Sequence, residues 1–218
     1  MEPHVQVREM TAVLPLCPFP SLHWWALARR GAAIDPHESY QKQTMRNRIR
    51  IAGPQGLQII TFAVQHSPDS KSWPQLSSHI SPKNSWKAIR TAYGNSPFFE
   101  HFEEELEALW EQGLPHSESD EKHLQAWAWK TIQWTQKTCG WTFENQVCSE
   151  SPSFGSCSID LREKAQLEGV GWNFVRYPQL FESQFSFIPG CSILDGLFII
   201  GPSELNRQLD QLTGLHPS

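Results

Sequence analysis

The stretch Arg48-Ile-Arg-Ile-Ala-Gly-Pro-Gln-Gly-Leu-Gln-Ile-Ile-Thr-Phe-Ala-Val64 decides how the first half of this chain folds. Its first four residues alternate between arginine and isoleucine, and its second run is rich in β-branched and aromatic residues; both patterns are typical of strands. The segment Gly53-Pro-Gln-Gly56 between the two runs has the composition of a turn. The stretch therefore predicts a β-hairpin with one buried and one mixed face.

Upstream of the hairpin the sequence alternates between strand and helix signals. The apolar run at 12–14 predicts a strand, and the prolines that follow exclude a helix interior. Ser21 is a candidate cap for a helix over 23–30, which Gly31 would end. Residues 32–34 predict a second short buried strand.

Downstream of the hairpin, apolar residues recur at helical spacing in three segments. They predict helices over 84–93, 98–111 and about 120–138. We therefore expect a mixed α/β fold, in which the early strands and the hairpin form a small central sheet and the helices pack as a layer. We expect one domain over 1–218, with a mainly helical part at about 84–140.

Composition limits the classes of function. The 218 residues carry a net charge of −5, which argues against a nucleic-acid coat protein because such proteins are usually basic. No apolar run is long enough to span a bilayer, and the first twenty residues contain Glu2 and Glu9 rather than a signal peptide pattern. The five cysteines are odd in number and form no C-x-x-C pair, which fits thiols in a reducing cytoplasm and argues against a metal site.

The segment that leads into the hairpin is cationic. Lys42, Arg46, Arg48 and Arg50 lie within nine residues that contain no acid. Arg48 and Arg50 point to the same side if they lie on a strand, whereas a helix over 40–50 would put lysine and two arginines on one face. Lys42, Arg46 and Arg48 could hold a diphosphate or a carboxylate, because the guanidinium fork suits both groups. The alternative is a solvated basic face paired with the acidic run at 100–111.

Polar residues in and beside this segment complete a candidate site. Gln43 and Asn47 could supply oriented hydrogen bonds to a ligand, and Tyr40 could help to orient it. His37 is the candidate proton carrier, because histidine titrates near neutrality and Asp35 and Glu38 lie beside it in the sequence. The alternative for His37 is a loop histidine that caps a backbone group.

Two later residues are further candidates. Asp195 lies inside an apolar run, and a buried carboxylate needs a partner. An arginine from the cationic segment would supply one and would make Asp195 the negative pole of the site; the alternative is an N-cap formed together with Ser192. Tyr93 could form an aromatic wall over a sugar or base with Phe98 and Phe99, or it could pack in the core between two helices.

Three blocks of the sequence resemble the WbqC-like family of bacterial proteins. They are Asp35-Pro-His-Glu-Ser-Tyr-Gln-Lys-Gln-Thr-Met-Arg-Asn-Arg-Ile-Arg-Ile51, Trp86-Lys-Ala-Ile-Arg-Thr-Ala-Tyr-Gly-Asn-Ser-Pro-Phe-Phe-Glu100 and Phe187-Ile-Pro-Gly-Cys-Ser-Ile-Leu-Asp-Gly-Leu-Phe198. The first block, with its Gln-x-x-Arg-Asn-Arg core at 43–48, carries most of the resemblance. Ala63 stands where the family pattern has a proline.

The resemblance implies a cytoplasmic bacterial protein connected with surface polysaccharide, notably the O-antigen of lipopolysaccharide, and with transfer of an amino acid such as glycine to a sugar. We therefore predict a transferase that acts on an activated sugar or a related anionic intermediate. Its partner would be an anionic small molecule: a sugar nucleotide, a phosphate or a carboxylate. The alternative is a binding module without catalysis. The sequence indicates neither a cofactor nor an oligomeric state.

Overall fold

A computed structural model describes most of the chain. The described ranges are 12–65, 72–79, 82–117, 122–142, 147–154, 157–168 and 176–211. The fold is mixed α/β, as predicted, with a small parallel sheet and seven helices among these residues.

The parallel sheet is built around the strand that the apolar run at 12–14 predicts. Strand β1 (Ala12–Pro15) is buried at every residue and continues through helix α1 (Leu22–Ala28) into strand β2 (Ala33–Asp35). Strand β5 (Ile159–Asp160) lies on the other side, so the order is β2-β1-β5 and both pairs are parallel. A strand covered on both sides needs a continuous apolar run, which β1 has.

The predicted hairpin forms, but it is a sheet of its own. Strand β3 (Arg48–Gly53) pairs antiparallel with β4 (Gly56–Thr61), and a short 3-10 helix (Met45–Asn47) precedes β3. We expected the hairpin to join the early strands in one central sheet, and this part of the prediction is wrong. Both edges of β1 are already occupied by β2 and β5, so no edge of that strand is left for the hairpin.

Three long helices form the layer that the apolar spacing predicts. They are α2 (Pro82–Tyr93), α3 (Phe99–Gly113) and α4 (Leu124–Cys139). Aromatic rings join them to the loop after β1: Phe19 stacks on Trp110 with ring centroids 5.1 Å apart and meets Trp127 edge-on at 6.1 Å. Such contacts fix the direction of the loop as well as burying apolar area.

Two short helices, α5 (Lys164–Leu167) and α6 (Glu182–Phe185), precede the last helix, α7 (Ile193–Gln211). Helix α7 breaks at Gly201, where φ is 72° and ψ is 169°, as the Gly-Pro pair predicts. The sequence did not predict β5, α5 or α6. The apolar and aromatic residues at 173–177 also suggest a strand, but this segment falls mostly outside the described residues. No helix within the described ranges has the length and apolar character to cross a membrane.

Candidate functional site

A cleft opens beside the loop that follows β1. It is narrow, with an interior volume of about 20 Å³, and the larger volume of about 340 Å³ includes the open space at its mouth. The walls come from the loop after β1, from the beginning of the hairpin, from the end of α5 and from the turn before α7. The lining residues are Cys17, Pro18, Phe19, Pro20, Ser21, Met45, Arg48, Ile49, Arg50, Leu167, Glu168, Gly190 and Ser192.

The topology of the parallel sheet accounts for the position of this cleft. Strand β1 lies between β2 and β5, so the chain connections on its two sides diverge at its carboxyl end. Open α/β sheets bind ligands beyond the carboxyl ends of their strands at such a switch point. Residues 17–21 follow β1 almost directly and form one wall of the cleft.

Two arginines of the cationic segment share this cleft. Arg48 and Arg50 lie on β3 and alternate with the buried Ile49 and Ile51, so both arginines point to the same side of the strand. The buried Nε atoms of both arginines have no hydrogen-bond partner among the described residues. Arg50 donates from Nη1 to the backbone oxygen of Glu168 at 3.3 Å. The strand geometry, rather than the helical alternative, is therefore the one that gathers positive charge here.

Arg46, in contrast, is turned into the core and does not line the cleft. Its guanidinium makes a two-point ion pair with Glu38, donating from Nε at 2.9 Å and from Nη2. Nη2 also donates to the backbone oxygen of Arg162 at 2.9 Å, and Nη1 donates to Thr44 at 3.3 Å. The prediction that Arg46 holds a ligand anion is wrong, because its guanidinium is already paired with the buried carboxylate of Glu38.

A second buried arginine, Arg162, was missed by the sequence analysis. It lies just after β5 and pairs with Asp160 (2.6 Å) and with Asp35 (3.0 Å), which end β5 and β2. Ser151 also donates to Asp35, at 2.6 Å. A lone Asp-x-Arg in a serine-rich stretch gives no signal of such burial, because the partner at position 35 is remote in sequence.

Three of the predicted site residues lie on the surface. Lys42 and Gln43 are exposed, and Gln43 has a φ of 58°. His37 is also exposed; its backbone N–H donates to Asp35 at 2.9 Å. The carboxylates that were expected to orient the ring of His37 are engaged elsewhere, since Glu38 binds Arg46. None of the three predicted residues Lys42, Gln43 and His37 belongs to the cleft wall.

Tyr40 and Asn47 are buried and each carries an unpaired polar atom. The hydroxyl of Tyr40 and the Oδ1 of Asn47 have no hydrogen-bond partner in the described part of the chain. Burial raises the pKa of Tyr40, and nearby Arg48 lowers it. Asn47 donates from Nδ2 to the backbone oxygen of Phe62 at 3.0 Å, which fixes the start of the hairpin. Neither residue lines the cleft.

Asp195 is fully buried, but the arginine partner that we expected is not among its contacts. It accepts hydrogen bonds from the hydroxyls of Tyr93 (2.6 Å) and Tyr177 (2.7 Å) and from Nε2 of Gln179 (2.8 Å). Burial raises the pKa of Asp195, and these donors lower it. The helix cap next to it comes from Ser192, which accepts from the N–H of the following leucine.

The hydrogen bonds around Asp195 extend to strand β3, which carries the two arginines of the cleft. The Tyr93 hydroxyl that donates to Asp195 also accepts the backbone N–H of Ala52 at 3.1 Å, and the N–H of Ser192 donates to the backbone oxygen of Arg50 at 2.8 Å. Tyr93 is therefore a core residue, which corrects the prediction of an aromatic wall. It holds the strand that carries Arg48 and Arg50.

The same cleft contains a hydroxyl and a thiol. Ser21 is partly exposed, and its Oγ lies 2.9 Å from Nδ1 and 3.4 Å from Nε2 of the buried His23, so it lies over the ring and off the lone pair of either nitrogen. Burial lowers the pKa of His23 to about 4. Cys17 is buried, and burial raises the pKa of its thiol far above its ordinary value. Ser21 was predicted as a helix cap, but its side chain makes no cap hydrogen bond.

Groups of three or more His, Cys, Asp or Glu residues that could hold a metal ion are absent from the described ranges. All five cysteines are free thiols.

Comparison with known proteins gives one match. The chain matches no curated protein, and it matches no solved structure. A family model described as the WbqC-like protein family matches residues 33–165, which is more than half of the chain. The matched region contains β2, the cationic segment, the hairpin and helices α2 to α4, but not Ser21, His23 or Asp195. The chain therefore belongs to the WbqC-like protein family.

Proposed function

We propose that this protein is a cytoplasmic group transferase of bacterial surface-polysaccharide (O-antigen) biosynthesis. Its substrate would be an activated sugar or a related phosphate-bearing intermediate, and the transferred group an acyl group such as an aminoacyl (glycyl) group. The family membership supports the pathway class. The pair Arg48 and Arg50 in one cleft is the observation that supports an anionic substrate.

Physical chemistry favours an anion in this cleft. Arginine stays charged in proteins, so the two guanidinium groups keep their positive charge even when partly buried. A phosphate or diphosphate offers several acceptors in the geometry of the guanidinium fork. The residues that line the cleft include one acid, Glu168, so together with the two arginines they carry a formal net charge of about +1.

The other predicted residues contribute to this proposal at different distances from the cleft. Lys42, close in sequence to Met45 of the wall, and Gln43 are outer contacts at the surface. Tyr40 and Asn47 carry unpaired polar atoms beside the start of β3 and are proposed to orient the cationic segment. Arg46 and Asp195 hold this framework rather than the ligand.

A non-catalytic binding module is the second candidate. The observation that favours it is that His37, the proton carrier expected from the sequence, is exposed and does not line the cleft. A binding module would retain the same arginine contacts and would give no product. Mass spectrometry of reactions containing an activated amino acid and a nucleotide sugar distinguishes the two candidates.

Isothermal titration calorimetry tests the anion site. UDP and a UDP-sugar are titrated into the wild type, Arg48→Ala, Arg50→Ala and the control Arg207→Ala. Arg207 is an exposed arginine that pairs with Glu204, so the control removes the same charge from a surface outside the cleft. A lost charged hydrogen bond costs about 1.5–3 kcal/mol, so each cleft variant should bind about ten- to a hundredfold more weakly. Equal heats for wild type and both cleft variants would contradict the proposal.

A further inference from the structure

We propose that the surface beside the cleft binds a hydrocarbon chain, so that the phosphate-bearing substrate is a lipid phosphate presented at a membrane surface. This inference deepens the proposed function and rests on it for the phosphate bound by Arg48 and Arg50. Three observations carry it: the small interior of the cleft, the side on which the two arginines are open, and the apolar residues that share their face of the hairpin.

The cleft is too small to enclose a whole substrate. Its interior volume is about 20 Å³, and one water molecule already needs about 10–15 Å³ of such volume. The interior therefore admits an oxygen of a phosphate, whereas a sugar or a nucleoside must stay outside. The group that is joined to the phosphate lies on the surface around the two arginines, so the chemistry of this surface selects the substrate.

The backbone of β3 shows on which side the arginines are open. The backbone oxygen of Arg50 accepts from Ser192 at 2.8 Å, and the N–H of Ala52 donates to Tyr93 at 3.1 Å. These contacts cover one edge of β3 with the turn before α7 and with the end of α2. On the other edge β3 pairs with β4, which pairs with no further strand in the described part of the chain. The surface beyond the arginines is therefore the surface of β4.

The register of the hairpin places two apolar side chains on this surface. Ile59 is paired with Arg50, and Leu57 precedes Ile59 by two residues on β4. Residues that are opposite each other in an antiparallel pair project from the same face with their Cβ atoms about 4.5–5.5 Å apart. A strand returns to the same face at every second residue. Both arginines and both apolar residues therefore share one face of the hairpin.

These apolar side chains are exposed to solvent. Leu57 is 47% exposed and Ile59 is 49% exposed. Phe185 of α6 is 41% exposed, and its ring lies 3.4 Å from where a Cβ on Gly56, at the start of β4, would be. Strand β4 contains no charged residue. Apolar residues that are exposed singly need no explanation, whereas neighbouring ones mark a binding surface.

A lipid phosphate matches this face in charge and in hydropathy. The guanidinium groups bind the phosphate, and a chain that leaves them over β4 covers Ile59 and then Leu57. A nucleoside would instead place hydroxyls and a polar base over the same apolar residues and would gain less. Cationic and apolar residues side by side are also typical of surfaces that bind anionic lipid, where the apolar residues enter the boundary between head groups and acyl chains. The net charge of −5 opposes this weakly, because charges beyond about 8 Å are screened at physiological salt.

Isothermal titration calorimetry with geranyl phosphate, a soluble phosphate that carries a short isoprenyl chain, tests the inference. Inorganic phosphate and UDP are the comparison ligands. The proteins are the wild type, the double variant Leu57→Thr with Ile59→Thr, Arg50→Ala and the control Val147→Thr. Val147 is 48% exposed and does not line the cleft, so the control removes a matched apolar side chain elsewhere. Threonine is well accepted in strands, and thermal melting verifies that the variants fold.

The wild type should bind geranyl phosphate about tenfold or more tightly than inorganic phosphate or UDP. Covering the exposed half of one large apolar side chain corresponds to about a three- to tenfold gain in affinity. The double variant should therefore bind geranyl phosphate about ten- to a hundredfold more weakly and keep its affinity for inorganic phosphate. Arg50→Ala should weaken the binding of all three ligands, and Val147→Thr should weaken none. In sedimentation, the wild type should accompany phosphatidylcholine vesicles only when they contain phosphatidic acid.

Three results overturn the lipid chain: equal affinities of the wild type for geranyl phosphate and inorganic phosphate, tighter binding of UDP than of geranyl phosphate, or an unchanged affinity in the folded double variant. Arginine-dependent binding of UDP in any of these cases leaves the anion site of the proposed function standing. Chain-dependent binding of geranyl phosphate without any product in the mass-spectrometric assay has the opposite meaning. It overturns the transferase and supports the lipid surface.

Discussion

Lowering the pH below 6.5 is expected to destabilise the protein through the imidazole of His23. The pKa of this ring is about 4 in the folded protein, mainly because of burial, against an ordinary value of 6.5. Between these values the unfolded chain binds a proton that the folded protein does not, so the free energy of unfolding falls as the pH falls. The contribution is fully present above 6.5 and is lost as the pH drops to about 4.

The size of the effect follows from the two pKa values. Each pH unit between them changes the free energy of unfolding by about 1.4 kcal/mol, so the whole interval corresponds to about 3 kcal/mol. About 2 kcal/mol of this should be lost between pH 7.5 and pH 5. Because other groups also titrate in this range, the effect must be measured as a difference between the wild type and a variant without the imidazole.

Urea unfolding followed by tryptophan fluorescence provides the measurement, since several of the ten tryptophans are buried. The wild type and His23→Asn are unfolded at pH 7.5 and at pH 5. The wild type should lose about 2 kcal/mol more than the variant on acidification, as derived above. Parallel losses in the two proteins, or an NMR titration that finds the His23 ring protonated at pH 6, would refute the reasoning.

Three substitutions test the framework around the cleft, with urea unfolding as the measurement. Arg46→Ala leaves the buried carboxylate of Glu38 without its partner and should cost about 3–5 kcal/mol; a cost below 1 kcal/mol would contradict the buried pair. Tyr93→Phe removes a donor and an acceptor from buried groups and should cost about 1–3 kcal/mol, and an unchanged midpoint would contradict it. Gly201→Ala should cost more than Gly31→Ala. Both glycines have positive φ, but only Gly201 also has a ring 2.8 Å from where a Cβ would lie.

Local signals in the sequence predicted the elements that position the cleft. The alternation at 48–51 is enough to set both arginine side chains on one side of β3, because the period of a strand is two. The turn at 53–56, the strand at 12–14 and the helix break at Gly201 each depend on residues that are adjacent in sequence. Such features need no knowledge of the tertiary fold.

Local signals could not predict which residues of the cationic segment line the cleft and which are buried. Arg46 and Arg48 are two positions apart and chemically identical, yet one is sealed in the core and the other lines the cleft. The difference is due to Glu38, whose carboxylate fills the fork of Arg46, and to the backbone of Arg162, 116 residues away. A cationic run therefore indicates a site, but remote acceptors decide which of its members remain available.

Asp195 is an acidic residue whose partners also could not be predicted from the sequence. The sequence correctly requires a partner for a carboxylate in an apolar run, and we expected an arginine. The fold supplies neutral donors instead, from Tyr93 on α2 and from Tyr177 and Gln179 before α6. Neutral donors satisfy the carboxylate without the cost of removing a second charge from water. They also come from separate elements, so the cluster joins parts of the chain that a single ion pair could not.

This arrangement explains how residues outside the cleft wall can fix the position of the residues that line it. Strand β3 is held at its start by Asn47, which donates to the backbone of Phe62, and near its end by Ala52, which donates to Tyr93. The two arginines lie between these fixed points. Repulsion between their charges would otherwise spread the side chains apart, because like charges at short range disfavour a common direction. A strand held at both ends keeps the two guanidinium groups in one cleft.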